Sequence, residues 1–300
     1  AALSEAERLA VEDYLTRKYF TPTTATVTIT TTGVNDAPVV SGGVGAVTED
    51  DSAPALSETD TGTVNFTDVD LSDTHHASAM FASSTHPGGQ LGNLTATVTQ
   101  QRSSQPIAIL NPSFESPGLA NGATGAPAGW VISGAGGAGH WNVNGDGQYV
   151  GAAVDGGASL NSVGGDGDQV AYSNGGELSQ TVAATITDHT VYELTVAIGD
   201  RLDLGLPAWR IQLWTDGGTT LLAETTSTTG SSANGQFIDN SVAWSSGTGF
   251  AGQDLMVRLV NDGGVQINWD NVRLTATTGV VTWNYSVDNS DIQFLGDGET

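Results

Sequence analysis

The chain of 300 residues has no cysteine, which excludes disulfides and thiolate-bound zinc without identifying a compartment. It is also short of positive charge: eight Lys and Arg stand against thirty-three Asp and Glu, a formal net charge of −25. Such a chain repels phosphate backbones and anionic lipid, so no nucleic-acid partner is expected. No apolar run approaches the roughly eighteen residues of a spanning helix, so membrane insertion is not expected either. No secretory leader opens the chain, and it starts in a helical pattern and stops at Gly298-Glu299-Thr300 without punctuation. It reads as a monomeric fragment of something longer. Gly-x-Ser-x-Gly, His-Glu-x-x-His and phosphate-cradling glycine loops are missing too, and nothing in the sequence marks an enzyme.

What is present is glycine (forty residues) together with abundant Thr, Ser and Asn, a composition suited to an all-β extracellular module. Between Tyr19 and Gln101 there is no Lys or Arg, yet nine acids fall there: Asp36, Glu49, Asp50, Asp51, Glu58, Asp60, Asp68, Asp70 and Asp73. The stretch alternates like strands rather than disordered chain, so a divalent cation is the expected neutraliser. Asp68-x-Asp70-x-x-Asp73 spaces three carboxylates for one hard cation, although it lacks the glycine and terminal Glu of an EF-hand.

Residues 4–20 form the one convincing helix: Ser4 and Glu7 make a capping box, and Leu9, Val11, Tyr14 and Leu15 supply an apolar side. Residues 24–32 alternate Val27 and Ile29 with threonines, as a half-buried strand does. Gly33-Val34-Asn35-Asp36-Ala37-Pro38 follows, a turn closed by a proline that forces extended backbone. Leu94, Ala96 and Val98 alternate again. The order Thr-Val-Thr-Ile, Gly-Val-Asn-Asp-Ala-Pro, Thr-Glu-Asp and Asp-Val-Asp-x-x-Asp-Thr-His resembles the VCBS repeats of bacterial RTX adhesins. That resemblance implies a repeat split between residues 37–103 and 278–300, with Leu94–Thr99 continuing into Gly279–Ser290. Residues 21–36 would be the last strand and linker of a preceding repeat. Residues 1–20 resemble the closing helix of a concanavalin/laminin-G-like domain. The adhesin resemblance implies interdomain calcium ligands among Asn35, Asp36, Glu49, Asp50, Asp68, Asp70 and Asp73.

Residues 104–277 differ in composition and hold six of the seven tryptophans. Strand patterns recur at 178–182, 191–198, 209–214, 255–260 and 265–274, separated by glycine-rich loops, which predicts a β-sandwich. A sandwich with adjacent ends can sit in a hairpin of a host repeat. Asn111-Pro112-Ser113-Phe114-Glu115 with Gly129-Trp130, and the closing Asn268-Trp269-Asp270-Asn271-Val272-Arg273-Leu274, resemble galactose-binding-like jelly rolls of carbohydrate-binding modules. The resemblance implies a structural calcium shared by Glu115 and Asp270. From the residues themselves, the alternation Val265, Ile267, Trp269 resumes at Val272 and Leu274, so a bulge is expected at Asp270-Asn271. Gly164-Gly165-Asp166-Gly167-Asp168 is a single copy of a calcium-repeat-like run and reads as a loop.

In 209–214, Trp209, Ile211 and Leu213 should face the core, leaving Arg210, Gln212 and Trp214 on the surface as an aromatic plane beside planar polar groups, suited to a pyranose. Trp141, Tyr149, Asp200 and Arg201 are secondary candidates. The five histidines lack metal-ligand spacing and read as surface residues. The resulting expectation is an all-β chain: an Ig/cadherin-like repeat interrupted by a jelly-roll β-sandwich, with a short N-terminal α-helix. It would act as a calcium-stiffened adhesin segment on a bacterial cell surface, binding carbohydrate and neighbouring repeats of the same chain and catalysing nothing. A bare structural spacer, a peptide-binding module and a glycan-active enzyme are the alternatives.

Overall fold

The computed structural model describes residues 8–12, 14, 34–49, 56–68, 70, 73–83, 88–134, 136–143, 147–150, 160–227 and 235–295. The chain divides into two compact units, Ala1–Asn35 and Asp36–Thr300. In the first, residues 8–12 and 14 are helical, Arg8 pairs with Glu12 one turn on, and Leu9, Val11 and Tyr14 are exposed. The capping box, the strand at 24–32, Asp50, Asp51, His86 and residues 296–300 lie outside the described residues. No helix among the described residues is long and apolar enough to cross a membrane.

The second unit is all-β. In chain order its strands are β1 (Val39–Val40), β2 (Ser57–Thr67), β3 (Asn93–Ile107), β4 (Thr124–Gly125) and β5 (Val131–Gly134). Next come β6 (Ala138–Asn142), β7 (Gln169–Ser173), β8 (Gly176–Thr185), β9 (Val191–Gly199) and β10 (Trp209–Thr215). The series ends with β11 (Thr220–Thr226), β12 (Phe237–Ser245), β13 (Asp254–Asn261) and β14 (Ile267–Asp288).

Two antiparallel sheets make a sandwich. In one, β9 joins β12 to the first half of β14, and β7, β6 and β4 continue on the other side. In the other the order is β11-β10-β13-β8-β5. Side chains of a strand alternate between faces, so every second residue meets the opposite sheet. Tyr192, Leu194, Val196 and Ile198 from β9 thus meet Trp209, Ile211 and Leu213 from β10 and Leu255, Val257 and Leu259 from β13 in one core. Trp209 and Trp269 are each at most 1% exposed. Burying an aromatic side chain removes about 150–250 Å² from water, on the order of 4–6 kcal/mol apiece before entropy.

The core phase expected for 209–214 is observed, and so is the bulge. The register of β14 on β9 shifts between Asp270 and Arg273, and Asn271 takes φ +46°. The extra residue lets Trp269 and Val272 both enter the core while Asp270 stays on the outer face. Strand β14 then runs on past the expected end at Leu274.

Its second half leaves the sandwich and pairs with β2 on one side and β3 on the other, Val281 lying opposite both Val64 and Val98. Ser103 of β3 faces Thr278, so the sandwich domain is entered and left through neighbouring strands. Gly279 at this exit permits close packing, because an added Cβ would lie 2.2 Å from the Phe66 ring. This companion sheet turns Val64, Leu94, Ala96, Val98, Val281, Trp283 and Tyr285 to one side and a threonine-rich surface to the other. Two histidines correct the surface reading: His140 is 0% and His189 4% exposed.

Candidate active site

The outer face of the first sheet carries a second apolar cluster. Alternation puts Trp141 beside Val170, Tyr172 beside Asn268, and Asp270 beside Ala197 on neighbouring strands. Tyr149, Leu160 and Val163, from the chain between β6 and β7, and Phe237 at the start of β12 close over them. Trp141, Tyr149 and Phe237 are all buried, and the Tyr149 and Phe237 rings stack with centroids 4.7 Å apart. Gly199 makes room for that stack: a Cβ there would meet the Phe237 ring at 2.6 Å and the Tyr149 hydroxyl at 2.7 Å. The Tyr149 hydroxyl donates to Asn268 Oδ1 at 2.7 Å, and burial pushes its pKa up.

Asp270 lies on this face and is 0% exposed. Its Oδ2 accepts from the Asp166 backbone N–H at 2.6 Å, and its Oδ1 from that of Asn271 at 2.7 Å. Among the described residues no cationic side chain pairs with it. Burial therefore dominates: the carboxyl is held well above the ordinary carboxylate range, although the two amides act the other way and nearby Asp166 and Glu115 add to the rise. A Cβ on Gly165 would lie 2.9 Å from Asp270 Oδ2 and 2.8 Å from Leu160, which shows how closely this loop covers the acid.

The same loop is fastened from the other side. Glu115 Oε1 accepts from the N–H groups of Asp168 (2.8 Å) and Gln169 (2.7 Å), and Ser113 donates to Asp166 Oδ2 at 2.7 Å. Glu115 and Asp270 thus hold opposite ends of residues 165–169 through backbone amides. That arrangement does not itself make a calcium cage, and no group of three or more His, Cys, Asp or Glu among the described residues is placed to hold a metal ion. At the rim, Arg201 lies over the Trp141 ring at 5.1 Å, pairs with both oxygens of Asp203 and donates to Gln266. Asp200 accepts at its backbone carbonyl from Gly235.

The residues expected to bind sugar therefore separate. Trp141, Tyr149, Asp200 and Arg201 belong to this region, whereas Arg210, Gln212 and Trp214 lie on the outer face of the other sheet, satisfied by one another and their neighbours. Arg210 pairs with Asp262 at 2.6 and 2.7 Å and with Glu224 at 3.3 Å. Gln212 donates to Glu224 and accepts from Trp214 Nε1, and Arg258 covers the Trp214 ring at 4.3 Å.

Of the acids around the companion sheet, Asp36, Asp68, Asp70 and Asp73 come together and Glu49 lies apart. Asp36 N–H donates to Asp70 Oδ2 at 2.6 Å and Asp70 N–H to Asp68 Oδ1 at 2.9 Å. Asp68 is bound to His75 Nε2 at 2.9 Å, which holds the Asp68 pKa low. Asp73 donates its N–H to the Asp70 carbonyl, while Glu49 accepts from Gln293 elsewhere. Asn35 belongs to the other unit, and Asp50 lies outside the described residues.

Phe237 and Tyr172 are absent from the sequence reading, Asn268 enters it only within the closing motif and Asp166 only within a loop. Asn268 is legible in principle, since it lies out of phase with the core residues Ile267 and Trp269. Phe237 sits alone between polar residues, with no periodic signal.

Comparison with known proteins gives one family: the model described as HpiC1-like, HpiC1 cyclase, matches residues 105–275. Among solved structures, the Stig cyclase Fisc from Fischerella sp. TAU, in complex with (3Z)-3-(1-methyl-2-pyrrolidinylidene)-3H-indole, is 26% identical. That alignment covers 58% of this chain and 98% of that one, with a TM-score of 0.47. A cyclase from Fischerella sp. TAU in complex with 4-(1H-indol-3-yl)butan-2-one is 25% identical over 57% of this chain and 97% of that one, with a TM-score of 0.46. No curated protein matches the chain. The family match corrects the resemblance to VCBS repeats of an RTX adhesin and to carbohydrate-binding modules. It likewise corrects the expectation of a non-catalytic segment whose partners are carbohydrate and neighbouring repeats. Function resides in the site rather than in the fold. With the matched segment spanning more than half of its 300 residues, the chain belongs to the HpiC1-like cyclase family.

Proposed function

We propose that residues 105–275 are a cyclase that works by proton donation from Asp270 to a small aromatic substrate held against the Trp141–Tyr149–Phe237 cluster. The observation that carries this reading is a wholly buried carboxyl, without a cationic partner among the described residues and pushed by burial above the ordinary carboxylate range, on a sheet face lined with aromatic rings. A carboxyl with a raised pKa can donate near neutral pH, where an ordinary one is already ionised. In the step envisaged, the Asp270 proton passes to an electron-rich atom of the substrate. The π electrons of a neighbouring double bond then attack the resulting cationic centre and close the ring. Loss of a proton back to the Asp270 carboxylate ends the cycle as an isomerisation, with no co-reactant. Aromatic faces favour the transient cation through their quadrupoles, and Asn268 orients Tyr149 over the site.

The test is conversion of a panel of indole-bearing alkenes, with binding of 4-(1H-indol-3-yl)butan-2-one measured in parallel. Asp270→Asn should bind the probe and lose turnover. Turnover retained in Asp270→Asn, or an Asp270 carboxyl that titrates near pH 4 by NMR, would remove the reading.

Calcium is a separate proposal, supported by the net charge of −25 and by Asp36, Asp68 and Asp70 following one another in a single hydrogen-bonded run. Glu115 and Asp166 could add oxygen donors near the site. An ion on Asp270 itself would keep it ionised and end its use as an acid, so the two roles exclude each other there. Calorimetric titration with calcium tests this, and no heat beyond dilution would dismiss it. An extracellular setting at a bacterial surface is proposed on composition alone, to be checked by fractionating the source cells.

A further inference from the structure

Within the cyclase reading, on which this rests, we propose that Arg201 sets substrate specificity. It selects an uncharged aromatic molecule that carries a hydrogen-bond acceptor, such as a carbonyl oxygen, on its side chain. The basic residues of 105–275 are four arginines, and each meets a carboxylate. The Arg201 side chain is the least exposed of them, at 12% against 35%, 20% and 45% for Arg210, Arg258 and Arg273. It is also the one set against the aromatic cluster, with its guanidinium carbon 5.1 Å from the Trp141 ring centroid. Burial raises the Tyr149 pKa, and among charged groups Arg201 opposes that rise most, which puts the guanidinium near the Tyr149 hydroxyl as well.

The backbone holds it there. Asp200 donates its N–H to the Gln236 carbonyl at 3.1 Å and accepts from the Gly235 N–H at 2.7 Å, while the Leu202 N–H donates to the Gln148 carbonyl at 2.9 Å. The residues on either side of Arg201 are thus tied to the chain neighbours of Phe237 and Tyr149. The side chain is fixed as well: Asp203 accepts from Nε at 2.8 Å and from Nη2 at 2.6 Å, and Gln266 accepts from Nη1. A guanidinium has five N–H bonds, and these contacts use three. One N–H on Nη1 and one on Nη2 have no partner among the described residues. A substrate packed beside Arg201 displaces water from these donors and loses affinity unless it brings an acceptor of its own.

Charge decides which acceptor. Asp203 already neutralises the guanidinium through a two-pronged contact, Asp200 adjoins it in the chain, and the whole protein carries −25. A carboxylate on the substrate meets repulsion there. An ammonium brings no lone pair and sets positive charge beside a guanidinium. A neutral acceptor avoids both costs, and a rigid planar fork recognises it with little loss of side-chain freedom.

The experiment uses the full chain and calorimetry near neutral pH with four indoles of matched size: 4-(1H-indol-3-yl)butan-2-one, 3-butylindole, 4-(1H-indol-3-yl)butan-2-amine and 3-(1H-indol-3-yl)propanoate. The ketone should bind about tenfold tighter or more than each of the others, the usual worth of a hydrogen bond from a charged donor. Arg201→Met keeps a long side chain beside Trp141 and removes the donors, so it should bring the ketone down to the level of 3-butylindole. If that variant does not fold, the series on the unaltered protein decides alone. Equal binding of the ketone and 3-butylindole would overturn the assignment and leave the cyclase reading in place. So would an amine or propanoate that binds as tightly as the ketone, or a ketone preference that survives in Arg201→Met. Binding of none of the four would overturn both. The two also part in Asp270→Asn, which should lose turnover yet keep the ketone preference.

Discussion

The two outer faces of the sandwich carry the same ingredients to different ends. Each has a tryptophan under an arginine: Trp214 beneath Arg258 on one, Trp141 beneath Arg201 on the other. On the β10 face both arginines have opposite charges nearby: Arg210 lies between Asp262 and Glu224, and Arg258 lies near Glu177. On the β14 face the central charge-bearing group, Asp270, has only backbone amides, and apolar rings surround it. Aromatic and arginine side chains side by side do not by themselves mark a site. A titratable group whose surroundings leave it unpaired does.

The largest test of that contrast is catalytic. Asp270→Asn should lower kcat by about 10²- to 10⁴-fold, the usual contribution of a positioned proton donor. Gln212→Ala on the opposite face should leave kcat unchanged, although it strips a partner from Glu224 and Trp214. Steady-state rates of the two variants, with folding checked by circular dichroism, make the comparison. Equal losses would place the chemistry elsewhere.

Next in size is packing. Phe237→Ala removes a 5% exposed ring that stacks on Tyr149 and closes over the Asp270 loop. A cost of about 3–5 kcal/mol in denaturant unfolding is expected for a core site, with probe binding weakened as well. Stability loss without any change in binding would mean the cluster is a second core only.

These contrasts also show what could be read from the sequence and what could not. The phase of 209–214 and the slip at Asp270-Asn271 were legible, because period-2 alternation is local and a bulge interrupts it visibly. The same rule, applied to Asn268 and Asp270, places them opposite Trp269 on the outer face, yet gives no hint that Tyr149 and residues 160–168 cover them. Burial of Asp270 depends on Gly165, Leu160 and Phe237, which lie 105, 110 and 33 positions away in sequence. On the opposite face Arg210, Gln212 and Trp214 read as open surface in the sequence, but Glu224, Arg258 and Asp262, brought alongside by the sheet, satisfy them.

A pH measurement separates the two faces at smaller amplitude. Asp270 has a folded pKa above its unfolded value near 3.9. Its contribution to stability is therefore complete below about pH 4 and is lost as pH rises through the folded value. Asp262 runs the other way. Its hydrogen bonds to Arg210 depress its pKa, so its contribution is present above about pH 4 and is lost on acidification through the folded value. Unfolding free energy measured from pH 3 to pH 8 should thus flatten above pH 4 in Asp270→Asn and flatten below it in Asp262→Asn. The absolute stability of Asp270→Asn is a poorer guide, because an amide nitrogen cannot accept from the Asp166 N–H.

The smallest effect belongs to the β10 face alone. The Arg210 and Asp262 side chains are 35% and 36% exposed, so water and salt screen them even though the pairing is two-pronged. Arg210→Ala should cost about 1 kcal/mol or less in urea unfolding, diminishing further in high salt. A loss of several kcal/mol would mean that this network, and not the aromatic face, holds the sheet in register. The polar face could then no longer be treated as the inert control against which the Asp270 face is judged.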